Sequence, residues 1–217
     1  MAERRLPKGD YMRKLDIGII PDGNRKYARQ LGISFEQAYS KGADTACAVV
    51  RALLEADIAE HLVFFCLSED NLKRRPAENI AAIMLGLDTF LRQVKKLPVC
   101  LGFHGRLHGR EDITLLNTYR TTVATNVQTK LNVHLLYKYS SEWDLAARPI
   151  QTSAIPPLDF VIRTSGVFRL SGFLPFQSAH AQLYVSKLFW PAFTSGALLE
   201  ITRQYEAVRK EQPVSGA

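Results

Sequence analysis

Short, largely apolar runs of strand length alternate along this chain with longer amphipathic stretches, and a polar loop follows most of the runs directly. Residues 17–20 give way to Pro21-Asp22-Gly23-Asn24, 62–67 to SEDNLKRRP, 131–137 to a loop holding Lys138 to Glu142, and 158–162 to residues 163–171. A run that is apolar at every position suits a strand buried on both faces. Between the runs, Ala38, Ala46, Val49, Val50, Leu53 and Leu54 recur at helical spacing across 37–56. Residues 77–94 are rich in Ala, Leu and Ile, with Glu78 early and Lys95-Lys96 at the end, as the helix dipole favours. A strand over 99–103 and a helix over 112–127 continue the pattern. The alternation predicts βαβ units, hence an α/β, single-domain fold with a central, mostly parallel β-sheet flanked by helices. Ligands of such sheets bind beyond the carboxyl ends of the strands. Loops 21–26, 68–76, 138–143 and 163–171 are therefore expected to converge.

Charge narrows the partners. Lys and Arg number 28 against 21 Asp and Glu, a net +7, which points to something anionic. Positive residues lie in separate loops and both ends, not in one stripe, so nucleic acid is not the expected partner. With 47% apolar and 23% charged residues the body is globular. It is placed at 15–208, between a basic, flexible segment 1–14 and a flexible tail 209–217. The apolar run 62–67 is far below the roughly 18 residues of a membrane helix, which excludes stable membrane insertion. The basic start lacks the apolar stretch of a secretory signal, so a cytoplasmic location is expected. Cys47, Cys66 and Cys100 form no CxxC and read as free thiols. His104 and His108 stand four apart, but Gly102, Gly105 and Gly109 oppose a helix that would present both to a metal. Tyr139, Trp143 and Trp190 read as packing residues.

Three loops carry candidate chemistry. PDGNRK sets a carboxylate and a glycine between a buried strand and a helix start, where exposed amides and the dipole favour an anion. Asp22 beside a phosphate implies an intervening cation, magnesium (Mg2+); a simple turn with an N-cap is the alternative that the residue types leave open. In the last loop Arg163, Arg169 and Ser171 offer two guanidinium forks and a hydroxyl suited to a diphosphate, and Arg74 and Arg75 after Asn71 offer more.

The stretches IIPDGNRKYARQLG, FFCLSEDNLKRRP, LNVHLLYKYSSEWDL and DFVIRTSGVFRLSGFLPFQSAHAQLYVSKLFWPAF closely resemble, in order, the motifs of the cis-prenyltransferases, the undecaprenyl diphosphate synthase family. The resemblance runs from about residue 16 to 193. It implies the cis-prenyltransferase fold with an elongated apolar tunnel, a homodimer, and Mg2+-dependent joining of allylic prenyl diphosphates. It assigns Asp22 and Asn71 to catalysis, with Asp22 directing the metal. Gly23, Asn24, Arg25, Lys26, Tyr27, Tyr39, Ser68, Arg75, Arg163, Arg169 and Ser171 are assigned to substrate binding. Ala43, Cys47, Val50, Ile83 and Leu87 are expected to line the prenyl pocket, and Glu36 and Glu69 are candidate proton acceptors. The chain departs from the family pattern at Asp16, Arg25, Lys26, Tyr27, Phe35, Tyr39, Val167 and Phe168. At Gln182 an amide stands where the family has a metal-binding glutamate. These departures, with the GISFEQAY stretch, are similar to the irregular lavandulyl and isosesquilavandulyl diphosphate synthase branch. That branch joins dimethylallyl diphosphate to an allylic diphosphate (geranyl or dimethylallyl) head to middle; a regular short-chain synthase using isopentenyl diphosphate is the alternative.

Overall fold

The computed structural model describes residues 13–107 and 129–211; His108, the helix predicted over 112–127 and most of both terminal segments lie outside the described residues. Six strands, β1 (Leu15–Ile20), β2 (Ala59–Ser68), β3 (Val99–His104), β4 (Leu131–Tyr139), β5 (Phe160–Arg163) and β6 (Gln182–Val185), form one sheet. Their order is β3-β4-β2-β1-β5-β6, and every pairing is parallel. The helices are α1 (Asn24–Leu31), α2 (Phe35–Ala56), α3 (Glu69–Arg74), α4 (Ala77–Val94), α5 (Ser141–Leu145) and α6 (Ser195–Glu211), with a 3-10 turn at Trp190–Ala192. No described helix is long and apolar enough to cross a membrane.

Local chemistry accounts for these elements. β1 is buried at all six positions, as a central strand must be. Helix α2 starts in a reciprocal cap: the Gln37 N–H donates to Ser34 Oγ (3.1 Å) and the Ser34 N–H to Gln37 Oε1 (2.9 Å). On one face of the sheet Ile17, Ile19, Leu62, Phe64 and Leu135 pack with Val50 and Leu53 of α2, Leu87 and Phe90 of α4, and Leu198 of α6. The other face carries Val63, Leu136, Tyr139 and Val161 under Ile155, Leu158, Phe173 and Leu174. Three imidazoles cross that second face in series. His61 Nδ1 lies 2.9 Å from His134 Nε2, and His134 Nδ1 lies 3.0 Å from His104 Nε2.

Several sequence expectations are corrected. SEDNLKRRP is not a loop throughout: Ser68 Oγ accepts the Asn71 N–H (3.1 Å), Glu69 and Asp70 occupy the first turn and Lys73 and Arg74 the last, so α3 forms. Tyr139 belongs to β4 and not to the loop after it. Residues 209–211, placed in the tail, are helical, with Arg209 paired to Glu206 at 3.3 Å. β6 and α6 had no counterpart in the periodicity reading.

Candidate active site

The strand order reverses around β1, whose carboxyl end is flanked by those of β2 and β5, and the polar loops meet there. Gly23 turns the chain out of β1 with φ at +105°, and a Cβ at that position would stand 2.9 Å from the Phe189 ring. A glycine is therefore required. Gly23 is also the N-cap of α1 and supplies no side-chain cap, which leaves first-turn amides for an anion. The Asp22 carbonyl is clamped from two sides, by Thr164 Oγ1 (2.6 Å) and the Trp190 N–H (3.0 Å). Its carboxylate accepts the Gly23 N–H on Oδ1 and Arg163 Nη2 on Oδ2, both at 2.8 Å.

Arg163, only 4% exposed at the end of β5, also donates to the Arg169 carbonyl and to Ser171 Oγ (2.9 Å). Ser165 and Ser171 hold positive φ in this loop, the kind of backbone strain that concentrates at ligand-binding turns. Lys26 Nζ donates to Ser165 Oγ (3.1 Å) and ties α1 to the same loop. On the opposite wall Arg75 donates to Asn71 Oδ1 (3.0 Å) and Tyr39 Oη (2.9 Å). Burial pushes the Tyr39 phenol pKa up, partly offset by Arg75, so the phenol stays protonated. Because its oxygen already accepts from Arg75, its own O–H is free to donate to a ligand.

These loops form the mouth of a cavity of about 520 Å³. Arg25, Lys26, Arg29, Arg74, Arg75, Arg163 and Arg169 line it against Asp22 and Asp70. Ala43, Ala46, Phe64, Phe65, Ile83, Leu87, Phe90, Leu135 and Trp190 make the apolar part. Phe64 meets Phe90 and Trp190 edge to face at 5.8 and 6.0 Å. Cys66 also lines the cavity, and burial pushes its thiol up to about 12, which keeps it neutral. Gly42 lets Trp190 lie against α2, its Nε1 donating to the Gly42 carbonyl at 2.8 Å.

Of the residues singled out from sequence, Asp22, Gly23, Asn24, Arg25, Lys26, Tyr39, Ser68, Asn71, Arg75, Arg163, Arg169 and Ser171 all line this cavity; Tyr27 does not. Of the expected prenyl-pocket residues Ala43, Ile83 and Leu87 line it, whereas Cys47 and Val50 are core. Glu36 and Glu69 are not on its wall, and Glu69 instead accepts from Arg106 (2.9 Å). Arg29, Phe64, Phe65, Phe90 and Trp190 were missed. Arg29 was within reach, since it follows Arg25 by four residues on α1 and so shares its face.

The donor set suits Mg2+ of one kind only. No group of three or more His, Cys, Asp or Glu among the described residues could cage a metal. Mg2+ is usually held by one or two carboxylates together with substrate phosphates, and Asp22, 38% exposed beside a cationic mouth, fits that arrangement. Gln182 does not add to it within this chain. It pairs with Phe160, three strand positions (about 10 Å) before Arg163, and its Oε1 accepts from Tyr184 (2.8 Å).

The sequence matches the family model "Putative undecaprenyl diphosphate synthase" over residues 20–148 and 145–212. It is similar to an isoprenyl transferase of Zymomonas mobilis (32% identity, 92% of this chain and 91% of the relative). An isoprenyl transferase of Thermus thermophilus is 28% identical over 94% of this chain and 89% of the relative. Among solved structures, lavandulyl diphosphate synthase from Lavandula x intermedia in complex with dimethylallyl diphosphate superposes with a TM-score of 0.78. That likeness covers 90% of this chain and 96% of the other at 20% identity, and it bears on the fold alone.

Proposed function

This chain belongs to the cis-prenyltransferase family, and we propose that within it the protein couples two short prenyl diphosphates, joining an allylic donor to dimethylallyl diphosphate head to middle. The observation that carries this reading is one cavity whose mouth has cationic loops on both sides of Asp22 and whose remainder is apolar. Two diphosphates need two anion cradles, and two prenyl chains need the apolar wall. The irregular branch is supported by the sequence departures at Asp16, Tyr39, Phe168 and Gln182 and by the GISFEQAY stretch.

Chemistry follows from the placement. The first-turn amides of α1 with Arg25 and Lys26 receive the donor diphosphate, and fixed donors there stabilise the charge that grows as the allylic C–O bond breaks and its electron pair leaves with diphosphate. Arg163, Arg169 and Ser171 hold the acceptor diphosphate. Arg75, fixed by Tyr39 and Asn71, faces both from the second wall. Phe64, Phe65 and Leu135 keep water from the allyl cation. The acceptor alkene then attacks through its central carbon, the remaining tertiary cation loses a proton to the released diphosphate, and a branched prenyl diphosphate results. Mg2+, bound through Asp22 and phosphate oxygens, would supply further neutralisation of the leaving diphosphate.

A second reading, a regular short-chain synthase adding isopentenyl diphosphate, is favoured by the names of the curated relatives, which are isoprenyl transferases. Product analysis separates the two. With Mg2+ and dimethylallyl diphosphate, alone or with geranyl diphosphate, the dephosphorylated products should be branched alcohols. Linear cis products that appear only with isopentenyl diphosphate would establish the second reading instead. The functional unit we propose is a homodimer through the β6 edge, where Leu183 is exposed.

A further inference from the structure

The Asp22 carboxylate, the metal ligand of the reading above, is already engaged: the Gly23 N–H donates to Oδ1 and Arg163 to Oδ2. The two partners of that ion pair are not alike. Arg163 has a side chain only 5% exposed, against 38% for Asp22. Its other bonds go to neutral oxygens of Arg169 and Ser171, and its Nε has no partner among the described residues. Asp22 is therefore its one ion-pair partner among the described residues. A buried guanidinium stripped of its carboxylate keeps its desolvation cost and loses the compensation. A dication drawing on Asp22 would leave Arg163 unpaired and set a second positive charge beside it.

We propose that Arg163 is a positioning residue that couples the two diphosphate sites: while it holds Asp22 the carboxylate is withheld from a divalent cation, and a diphosphate arriving at Arg163, Arg169 and Ser171 takes over the guanidinium and releases Asp22. The inference rests on the reading of Asp22 as metal ligand and Arg163 as diphosphate ligand given above. With the anion in place charges alternate along the line from Arg163 to the metal; without it two cations compete for one carboxylate. Linkage makes the effect reciprocal, so the metal tightens the anion as much as the anion tightens the metal. The donor is then fully activated only when the acceptor is seated, and the allyl cation meets an alkene before it meets water.

The test reads metal binding by the whole chain in the absence of any diphosphate, with Mn2+ as the probe and its free fraction followed by electron paramagnetic resonance. Removing the latch should tighten binding: Arg163→Gln is expected to bind Mn2+ about tenfold or more tighter than the unaltered chain, within the usual range of site coupling. Arg169→Gln, which removes a neighbouring positive charge that does not touch Asp22, should change it by about twofold or less. Circular dichroism checks folding, and Arg163→Met, which keeps a long unbranched stem in the buried site but no charge, carries the same test if the Gln variant does not fold. Equal tightening in the Arg163 and Arg169 variants, or unchanged affinity in the Arg163 variants, overturns the coupling. Asp22→Asn placed in the Arg163→Gln chain tells that failure from the other: if the double variant binds Mn2+ as tightly as Arg163→Gln alone, Asp22 is not the ligand and both readings fall; if binding weakens, the metal reading stands by itself.

Discussion

Asp22 and Arg169 stand on the same mouth and should fail differently. Asp22→Ala removes the proposed metal ligand from a half-exposed turn whose carbonyl remains clamped by Thr164 and Trp190. Turnover is expected to fall by about a thousandfold or more, the upper range for a lost transition-state stabiliser; the thermal midpoint should also drop, because the buried Arg163 loses its carboxylate, while circular dichroism at about 25 °C still reports the folded chain. Arg169→Ala removes the proposed charge-assisted contact to the acceptor, worth about 1.5–3 kcal/mol. The acceptor KM should rise roughly tenfold to a hundredfold while kcat changes less, read from initial rates at varied acceptor concentration. Residue identities of this kind were legible, because Asp-Gly-Asn after an apolar run and paired arginines after another mark their chemistry directly. The direction a helical side chain faces was not. Cys47 and Val50 lie on the same helix as Ala43 and Ala46, yet only the latter pair reaches the cavity, a distinction set by how α2 rotates against the sheet.

At the scale of the sheet, the imidazole series across β2, β4 and β3 makes stability depend on pH. Burial, with His104 and His61 as neighbours, pushes His134 down to about 3, and burial lowers His104 as well. Asp16 faces the row at His61 and Asp144 faces it at His104. Below about pH 6.5 the unfolded chain takes up a proton that the folded His134 refuses. Stability conferred above that pH is therefore lost as pH falls toward 3, by at most about 1.4 kcal/mol per pH unit. Urea midpoints between pH 7.5 and 5 should decline for the unaltered chain and decline less for His134→Gln; equal slopes would show that another group governs the acid limb. The long elements were plain in the sequence because their apolar spacing repeats many times. α3 and β6 were not, since six and four residues give a periodic signal too little length, and α3 depends on the Ser68 cap. α6 could have been found: its buried Leu198, Thr202 and Tyr205 fall at helical intervals, but Thr202 blurs the apolar stripe.

At the scale of the whole molecule, β6 ends the sheet with one edge unpaired among the described residues, and an exposed strand edge bearing apolar groups calls for cover. If a second copy supplies it, light scattering should report a dimer, and Leu183→Lys should shift the protein to monomer with its helix content intact. A dimer that persists in that variant would locate the contact elsewhere. The +7 of the chain acquires a local meaning at this scale, since much of it is gathered at one cavity mouth.

The clamp on Asp22 reaches across most of the polypeptide. Residue 22 is fixed by residues 164 and 190, and β1 lies between β2 and a β5 that begins only at Phe160. On the ribosome, then, the aspartate turn emerges 142 residues ahead of Thr164 and waits for it and for Trp190. Until those residues are made, the nascent protein has an open β1 edge and no seat for Asp22. Termination between residues 22 and 190 therefore yields a chain that holds the aspartate but not the assembled site.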